Sequence, residues 1–221
     1  GMNRLGFRVE QFADAYSRLR RVPNVAPDPT LVTHLANADD RRDGMTAGQV
    51  RTFGAATDGL EGARSIANSA ALLAWPETRG DWVRPGLMLY GVSPFQSGTG
   101  ADLGLRAAMT LQTVVIAVKE VRPGETVGYG GAWCAPRDTR MAVVAAGYGD
   151  GYPRHAANGT PVLINGQRAP LAGRVSMDMI TVDVTDLGEV QLGAEVVLWG
   201  AGLPLAEVAR YADTIGYELT T

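Results

Sequence analysis

The chain has 221 residues and a formal net charge of -3, so it is long enough for one large domain or two modest ones whose cores need no disulfide or metal. The slight negative charge, without any basic run, argues against a nucleic-acid groove or an anionic membrane surface, and no apolar run approaches the ~20 residues that span a membrane. Cys134 is the only cysteine, which excludes an internal disulfide and favours a reducing compartment such as the cytoplasm.

Helices and short strands alternate over residues 1–90. Apolar residues at helical spacing predict amphipathic helices over residues 9–20 and 46–56, and Asn68 is placed to cap a third, shorter helix. Short strands are predicted at residues 31–35, 63–67 and 81–84. The alternation predicts parallel strands joined by crossovers, as in the C-terminal half of an eight-unit α/β barrel. Because half a barrel leaves unpaired strand edges, we expect the other half upstream of Gly1.

Four polar residues lie where a predicted strand meets a helix or turn, namely His34, Asn68, Ser69 and Arg84. Parallel α/β barrels carry their chemistry at that end of the strands. A structural role explains the same residues equally well, with His34 at a capped strand end, Ser69 as a helix cap and Arg84 in an ordinary turn. The residue types alone leave both interpretations open.

The second half of the sequence is rich in strands. Residues 111–120 alternate between the two faces of one long strand. Further strands are predicted at residues 140–146, 161–164, 168–171, 179–184 and 195–198, and a helix at 205–212. Asn165-Gly166 between two of these strands is a strong hairpin signal. We therefore divide the chain into a partial barrel over residues 1–95 and a mostly antiparallel, barrel-like β domain over residues 96–221, with a Gly- and Ser-rich hinge at residues 93–104.

Tyr129 stands alone among three glycines in the stretch 127–131. Glycine permits a tight turn and a close approach of the backbone to a ligand. Such a turn with a tyrosine that merely caps the core is the simpler interpretation. The alternative is a phenol held clear of its neighbours to act as an acid or base.

Other kinds of site find little support in the sequence. His34 and His155 are the only histidines, and no Cys/His cluster with metal-ligand spacing occurs, so no metal site is predicted. A nucleophile elbow of the kind that presents a catalytic serine is also absent. Residues 147–151 resemble a phosphate-binding loop only superficially, because no lysine follows them.

Taken together, eight segments in chain order resemble the alanine racemase family. They are residues 1–6, 33–34 with 37–39, 65–71, 83–91, 127–131, 147–155, 173–178 and 214–218. Each segment is weak alone, but as an ordered set they span the whole chain. The resemblance implies an N-terminal (β/α)8 barrel and a C-terminal β domain that bind pyridoxal 5'-phosphate. It also implies two-base proton transfer between L- and D-alanine through an aldimine of that cofactor, in a cytoplasmic head-to-tail homodimer with shared active sites that supplies D-alanine for peptidoglycan.

The resemblance assigns roles position by position. Tyr129 resembles the base that acts on L-alanine, and His34 with Arg84 resembles the relay that supports it. Arg84 also corresponds to the residue facing the pyridine nitrogen of the cofactor. A guanidinium is effectively always protonated, so it would donate to that nitrogen and leave it neutral.

Further positions resemble binding residues of the family. Those matching contacts of the cofactor and its phosphate are Asn68, Ser69, Gly86, Leu87 and Tyr217. Arg4 and the backbone of Met177 resemble the site for the substrate carboxylate, to which a guanidinium fork is well matched. Residues matching the narrow channel that leads to the site are Asp39, Tyr148 and Arg174.

The cofactor lysine of the family has no counterpart in this sequence. Lys119 is the only lysine and lies in a predicted strand of the β domain. The chain therefore resembles about the last two thirds of an alanine racemase, without its final strand, and we expect no activity from it alone. A non-catalytic module derived from a racemase and a racemase of broader specificity remain alternatives. Decarboxylases of the same architecture are disfavoured, because they place an acidic group where Arg84 stands.

Overall fold

The computed structural model describes all residues, Gly1–Thr221, and they form two compact units. The first comprises Gly1–Leu89 and Pro94–Gly98, and the second Tyr90–Ser93 and Thr99–Thr221. The segment predicted as a hinge is thus divided between the units and does not lie free between them. One reason is that Phe95 packs against the apolar core of the first unit. None of the helices is both long and apolar enough to cross a membrane.

The first unit contains three helices and two short strands. They are α1 Val9–Leu19, β1 Leu31–Val32, α2 Met45–Thr57, β2 Arg64–Ser65 and α3 Ser69–Ala74. Strands β1 and β2 are parallel, with Leu31 opposite Arg64, which confirms the predicted crossover. Trp82 adds only a single parallel bridge to Ser65, so the third predicted strand is shorter than expected. Ladder pairing stops near here because the carbonyls of Thr33 and Ile66 accept hydrogen bonds from a side chain.

A small apolar cluster holds α3 against the strands. Its buried members are Leu35, Ala38, Ile66, Ala67, Ala70 and Ala71. The alanines allow close approach of the α3 backbone, and Val50 and Phe53 of α2 pack against the cluster. The N-terminus of α3 is capped as expected, since the Asn68 carboxamide oxygen accepts from the Ala71 N–H at 3.0 Å.

The second unit is built on one antiparallel sheet of six strands. In spatial order these are β8 Gln167–Pro170, β7 Pro161–Ile164, β10 Glu195–Trp199, β3 Leu111–Val121, β6 Thr139–Val144 and β9 Ile180–Asp183. A bridge between Leu171 and Val182 joins the two outer strands, so the sheet is nearly closed. Helices α4 Leu205–Tyr211 and α5 Gly216–Leu219 follow it. The predicted strands and the helix at 205–212 are confirmed to within a few residues.

Of two hairpins in the second unit, one was predicted from the sequence and the other was not. Asn165 and Gly166 have φ of 49° and 77° between β7 and β8, which is the left-handed geometry that the predicted Asn-Gly turn requires. The hairpin of β4 Thr126–Val127 and β5 Trp133–Cys134 was not predicted. Each of its strands has two residues, too few for an alternating pattern.

Candidate active site

The Arg84 guanidinium organises the strand ends of the first unit. Nη2 donates to the carbonyls of Thr33 at 2.7 Å and Ile66 at 3.3 Å, and Nη1 donates to the Ser65 hydroxyl at 2.5 Å. His34 Nδ1 lies 3.5 Å from Nη2. The structure therefore places His34 and Arg84 side by side at the strand ends. The Nε–H of Arg84 has no protein acceptor and is left for a ligand.

His34 sits in an environment that favours its neutral form. Burial lowers the pKa of His34, and the positive charges of Arg4, Arg84 and the terminal amine lower it further. A neutral imidazole accepts at one nitrogen and donates at the other, so Nδ1 can accept from Arg84 while Nε2 carries a proton. Burial also lowers the pKa of Arg84, yet a guanidinium stays charged at neutral pH.

Arg4 is held on the same side of the unit as His34. Its charge contributes to the lowered pKa of His34. The Gln49 side chain fixes this segment, donating to the Gly1 carbonyl at 2.9 Å and accepting from the Ala36 N–H at 3.0 Å. The structure thus groups Arg4, His34 and Arg84.

Ser69 forms a second group with the loop after Arg84. Its Oγ accepts from the N–H groups of Gly86 at 2.9 Å and Met88 at 3.4 Å. The side chain is only 2% exposed, and both lone pairs are used, so its proton is available to an acceptor outside the protein. Leu87 is buried beside it, and nothing lies within 4 Å of where a Gly86 Cβ would stand. A hydroxyl with a proton to donate, beside a loop with room next to Gly86, suits a phosphate oxygen.

Asn68 and Asp39 contribute less directly to the first unit. The Asn68 carboxamide oxygen is committed to capping α3, so the structure gives this predicted cofactor contact a structural role. Asp39 lies half-buried after the first strand. Both belong to the first unit, whereas Tyr148, Arg174 and Tyr217 belong to the second.

Tyr129 projects from the turn between β4 and β5. The side chain is 68% exposed, so the interpretation that it caps the core is wrong. Gly128 has φ of 79°, and a Cβ there would lie 3.0 Å from the Arg174 backbone nitrogen. Glycine is needed for both reasons. The structure thereby brings the tyrosine turn against Arg174.

Tyr148 and Met177 lie on two loops that are joined through their backbones. The Tyr148 N–H donates to Ser176 O at 3.0 Å, and Gly149 donates to Met177 O at 2.8 Å. The Met177 N–H has no protein acceptor, and its side chain is 55% exposed. A free N–H on an exposed loop fits the predicted contact to a carboxylate.

A cleft beside the tyrosine turn contains two residues that sequence reasoning missed. It has a volume of about 320 Å³ and is lined by Ala132, Arg154–Asn158, Gly173 and Arg174. Arg154 lies 5.9 Å from the centre of the Tyr148 ring. Sequence reasoning offered no reason to assign Asn158 a functional role, because an asparagine followed by a glycine is typical of an ordinary turn.

The last two predicted positions are exposed residues of the second unit. Tyr217 lies in α5 and is 45% exposed, so it is not the buried core aromatic considered as an alternative. Lys119 lies exposed on β3, in register with Met141 of β6. The side chain therefore lies on a regular ladder of the second unit, whereas most of the predicted cofactor contacts belong to the first.

Comparison with known proteins matches both halves of the sequence to one family. The family model described as "Alanine racemase, N-terminal domain" matches residues 1–94, and the one described as "Alanine racemase, C-terminal domain" matches residues 108–221. The chain is 52% identical over 221 residues to an alanine racemase of Shewanella amazonensis and 54% identical over 220 residues to one of Nitrosococcus oceani. It covers 61% of each of these relatives.

Solved structures agree with the sequence matches. The biosynthetic alanine racemase of Pseudomonas aeruginosa superposes with a TM-score of 0.93 at 49% identity, covering 99% of this chain and 61% of that one. The alanine racemase of Bartonella henselae, solved with covalently bound pyridoxal phosphate, gives 0.86 at 31% identity, covering 99% of this chain and 60% of that one. The fold is therefore part of a TIM-type barrel followed by a β domain, as predicted.

Proposed function

Since this chain belongs to the alanine racemase family, we propose that it supplies part of a pyridoxal-phosphate enzyme that interconverts L- and D-alanine. The observation that carries the proposal is the Arg84–His34 pair at the strand ends, with the Arg84 Nε–H free of protein partners. The product D-alanine would serve peptidoglycan synthesis in the cytoplasm. The chain spans 61% of the Shewanella relative, so the activity of the whole protein is part of the proposal.

The cofactor, when bound, withdraws electrons from the amino acid and makes its Cα proton acidic. The Ser69 hydroxyl and the Leu87 N–H would hold its phosphate, the Gly86 N–H would fix the Ser69 oxygen, and Tyr217 would add a phenol. Arg84 would donate its Nε–H to the ring nitrogen. Because a guanidinium keeps its proton, Arg84 would hold the ring nitrogen without protonating it and would keep the electron withdrawal weak. That weakness suppresses side reactions that need a long-lived carbanion.

Tyr129 would take the Cα proton of L-alanine. An ordinary phenol has a pKa of about 10 and is a poor base at pH 7 unless nearby positive charge favours the phenolate. We propose that Arg84 provides this positive charge and that neutral His34 acts as the relay between Arg84 and the phenol. In the proposed head-to-tail dimer, Tyr129 of one copy serves the barrel of the other.

The substrate carboxylate would be bound by Arg4 and the Met177 N–H. A guanidinium and a backbone N–H are both suited to a carboxylate. Asp39, Tyr148 and Arg174 would line the channel that leads to this position. Lys119 is exposed on a regular strand, so we propose that covalent attachment of the cofactor uses a residue outside these 221.

The proposal is tested with Tyr129→Phe in the completed enzyme. By completed enzyme we mean these 221 residues together with the part of the Shewanella relative that they do not cover. Loss of a general base costs on the order of 10²–10⁴-fold, so exchange of the Cα proton of L-alanine with solvent should fall by that factor while cofactor binding is kept. Tyr211→Phe, at another exposed tyrosine, is the matched control. An unchanged exchange rate in Tyr129→Phe would remove Tyr129 from the reaction.

A further inference from the structure

We infer that Asn158 is a positioning residue that fixes the placement of the Tyr129 phenol, an inference that rests on the proposed role of Tyr129. Asn158 Nδ2 donates to Ala132 O at 2.9 Å, and Oδ1 accepts from the Gly173 N–H at 2.7 Å. Ala132 ends the tyrosine turn, residues 128–132, and Gly173 immediately precedes Arg174. One side chain therefore ties together two segments that are far apart in sequence.

The carboxamide suits these two partners in a way that other side chains do not. A backbone carbonyl needs a donor and a backbone N–H needs an acceptor, and the short carboxamide of Asn offers both from one carbon. Aspartate keeps the acceptor toward Gly173 but cannot donate to Ala132. Alanine loses both bonds.

The tyrosine turn has few other restraints. The short strands that flank it pair through Thr126 with Cys134 and Val127 with Trp133, and Ala135 bonds to Glu125 below them. Within the turn there is one backbone bond, from the Gly131 N–H to Gly128 O at 3.1 Å. Gly128, Gly130 and Gly131 all have positive φ, and glycines without restraint sample many conformations. Gly128 also lies against the Arg174 backbone. This contact is next to the Gly173 end of the Asn158 clamp, by which we mean the two bonds of Asn158 to Ala132 and Gly173.

The backbone on both sides of Asn158 is held in place by hydrogen bonds. The Ala157 N–H donates to Tyr211 O at 3.2 Å and the Gly159 N–H donates to Leu171 O at 2.8 Å. Both residues adjacent to Asn158 are thus bonded to other parts of the second unit, at the end of α4 and beside β8. Through its bond to Ala132, the Asn158 side chain therefore holds the turn that carries Tyr129 in a fixed position.

A proton acceptor displaced by about 1 Å can cost up to ~100-fold in rate. We expect Asn158→Ala to lower kcat/KM for racemisation by about 10- to 100-fold in the completed enzyme. Hydrogen–deuterium exchange of the amides of residues 128–132 should become faster. The matched control is Thr185→Ala, because Thr185 also makes two hydrogen bonds, accepting from the Arg140 N–H at 3.1 Å and donating to Asp183 at 2.5 Å. It lies apart from every predicted site residue, and Thr185→Ala should change neither readout.

Isotope effects separate positioning from general destabilisation. If proton transfer to and from Tyr129 slows, that step limits the rate more strongly. The deuterium isotope effect measured with Cα-deuterated L-alanine should then rise, and the one measured with Cα-deuterated D-alanine should fall toward unity. A smaller folded fraction changes neither value. Asn158→Asp should give the same shift as Asn158→Ala, because both lose the bond to Ala132.

Isotope effects equal to those of the unsubstituted enzyme in both Asn158 variants would overturn the inference, even with a lowered Tm. The proposed function is judged separately by Tyr129→Phe. If Tyr129→Phe abolishes exchange from L-alanine while the Asn158 variants keep normal isotope effects, the function stands and the clamp fails.

Discussion

His34 and Arg84 form a pair in which the arginine carries the charge and the histidine stays neutral. Burial lowers the pKa of His34, and the positive charges of Arg4 and Arg84 lower it further. A neutral relay can accept from Arg84 and donate onward without itself becoming a strong acid. In the proposed site, the pair would place positive charge near the Tyr129 phenolate without placing a competing acid between them.

The lowered pKa of His34 predicts how stability depends on pH. The unfolded chain binds this proton more readily than the folded chain, so His34 contributes stability above about pH 6.5 that is lost as pH falls through the lower folded value. Between pH 7 and 5 the free energy of unfolding should fall, and His34→Gln should reduce that slope. Urea unfolding at a series of pH values measures it. His155→Gln, at the other, exposed histidine, should leave the slope as it is, and an equal slope in His34→Gln would contradict the prediction.

Among the elements, the loop pair of Tyr148 and Met177 depends on a glycine for steric reasons alone. Gly147 has φ of -144°, which any residue adopts. A Cβ there would lie 2.3 Å from both Ser176 O and Met177 O. Two loops that carry predicted site residues are therefore pressed together at a point where no side chain fits.

Gly147→Ala should force these loops apart. Overpacking of this kind costs about 1–3 kcal/mol, and the displaced Met177 N–H should raise KM for alanine. Thermal unfolding and steady-state kinetics of the completed enzyme measure the two effects. Gly188→Ala, where nothing lies within 4 Å of the added Cβ, is the control. A normal KM with a lowered Tm would show that the Met177 loop does not contact substrate.

Local patterns predicted the regular elements well and the site geometry poorly. The periodicity of residues 9–20 and the Asn165-Gly166 turn each depend on neighbours in sequence, and both are confirmed. The β4–β5 hairpin depends on contacts across the chain, with Gly128 lying against Arg174. Asn158 is similar, since its two partners lie 26 and 15 residues away. Ser69 was singled out in advance, but its bonds to Gly86 and Met88 follow only from the fold.

At the scale of the whole molecule, the single lysine, Lys119, leads us to expect no cofactor attachment by these residues alone. Covalent catalysis through an imine needs an amine at the cofactor carbonyl, and Lys119 is exposed on β3. After incubation of the chain with pyridoxal phosphate and reduction with borohydride, mass spectrometry should find no stoichiometric pyridoxyl group on Lys119. The completed enzyme is the positive control. A stoichiometric adduct on Lys119 would overturn the view that the anchoring residue lies outside this chain.

A shared active site, as proposed above, would explain why predicted site residues occur in both units. If the sites form between two copies, each takes His34, Ser69 and Arg84 from one chain and Tyr129 and Met177 from the other. A base must come within about 3 Å of the proton it removes or act through one water. The proposal therefore predicts that His34 and Tyr129 of the same chain do not work together.

Mixing two inactive variants of the completed enzyme tests this arrangement. Arg84→Gln disables the barrel side and Tyr129→Phe disables the tyrosine side. In a mixed head-to-tail dimer, one site receives both defects and the other receives neither. Random pairing makes about half of the dimers mixed, so about a quarter of the normal activity should return on refolding the two variants together. Each variant refolded alone is the control. If both residues of a site came from one chain, every site in the mixture would carry one defect and no activity would return, which would reject the shared site while leaving Tyr129 as the base.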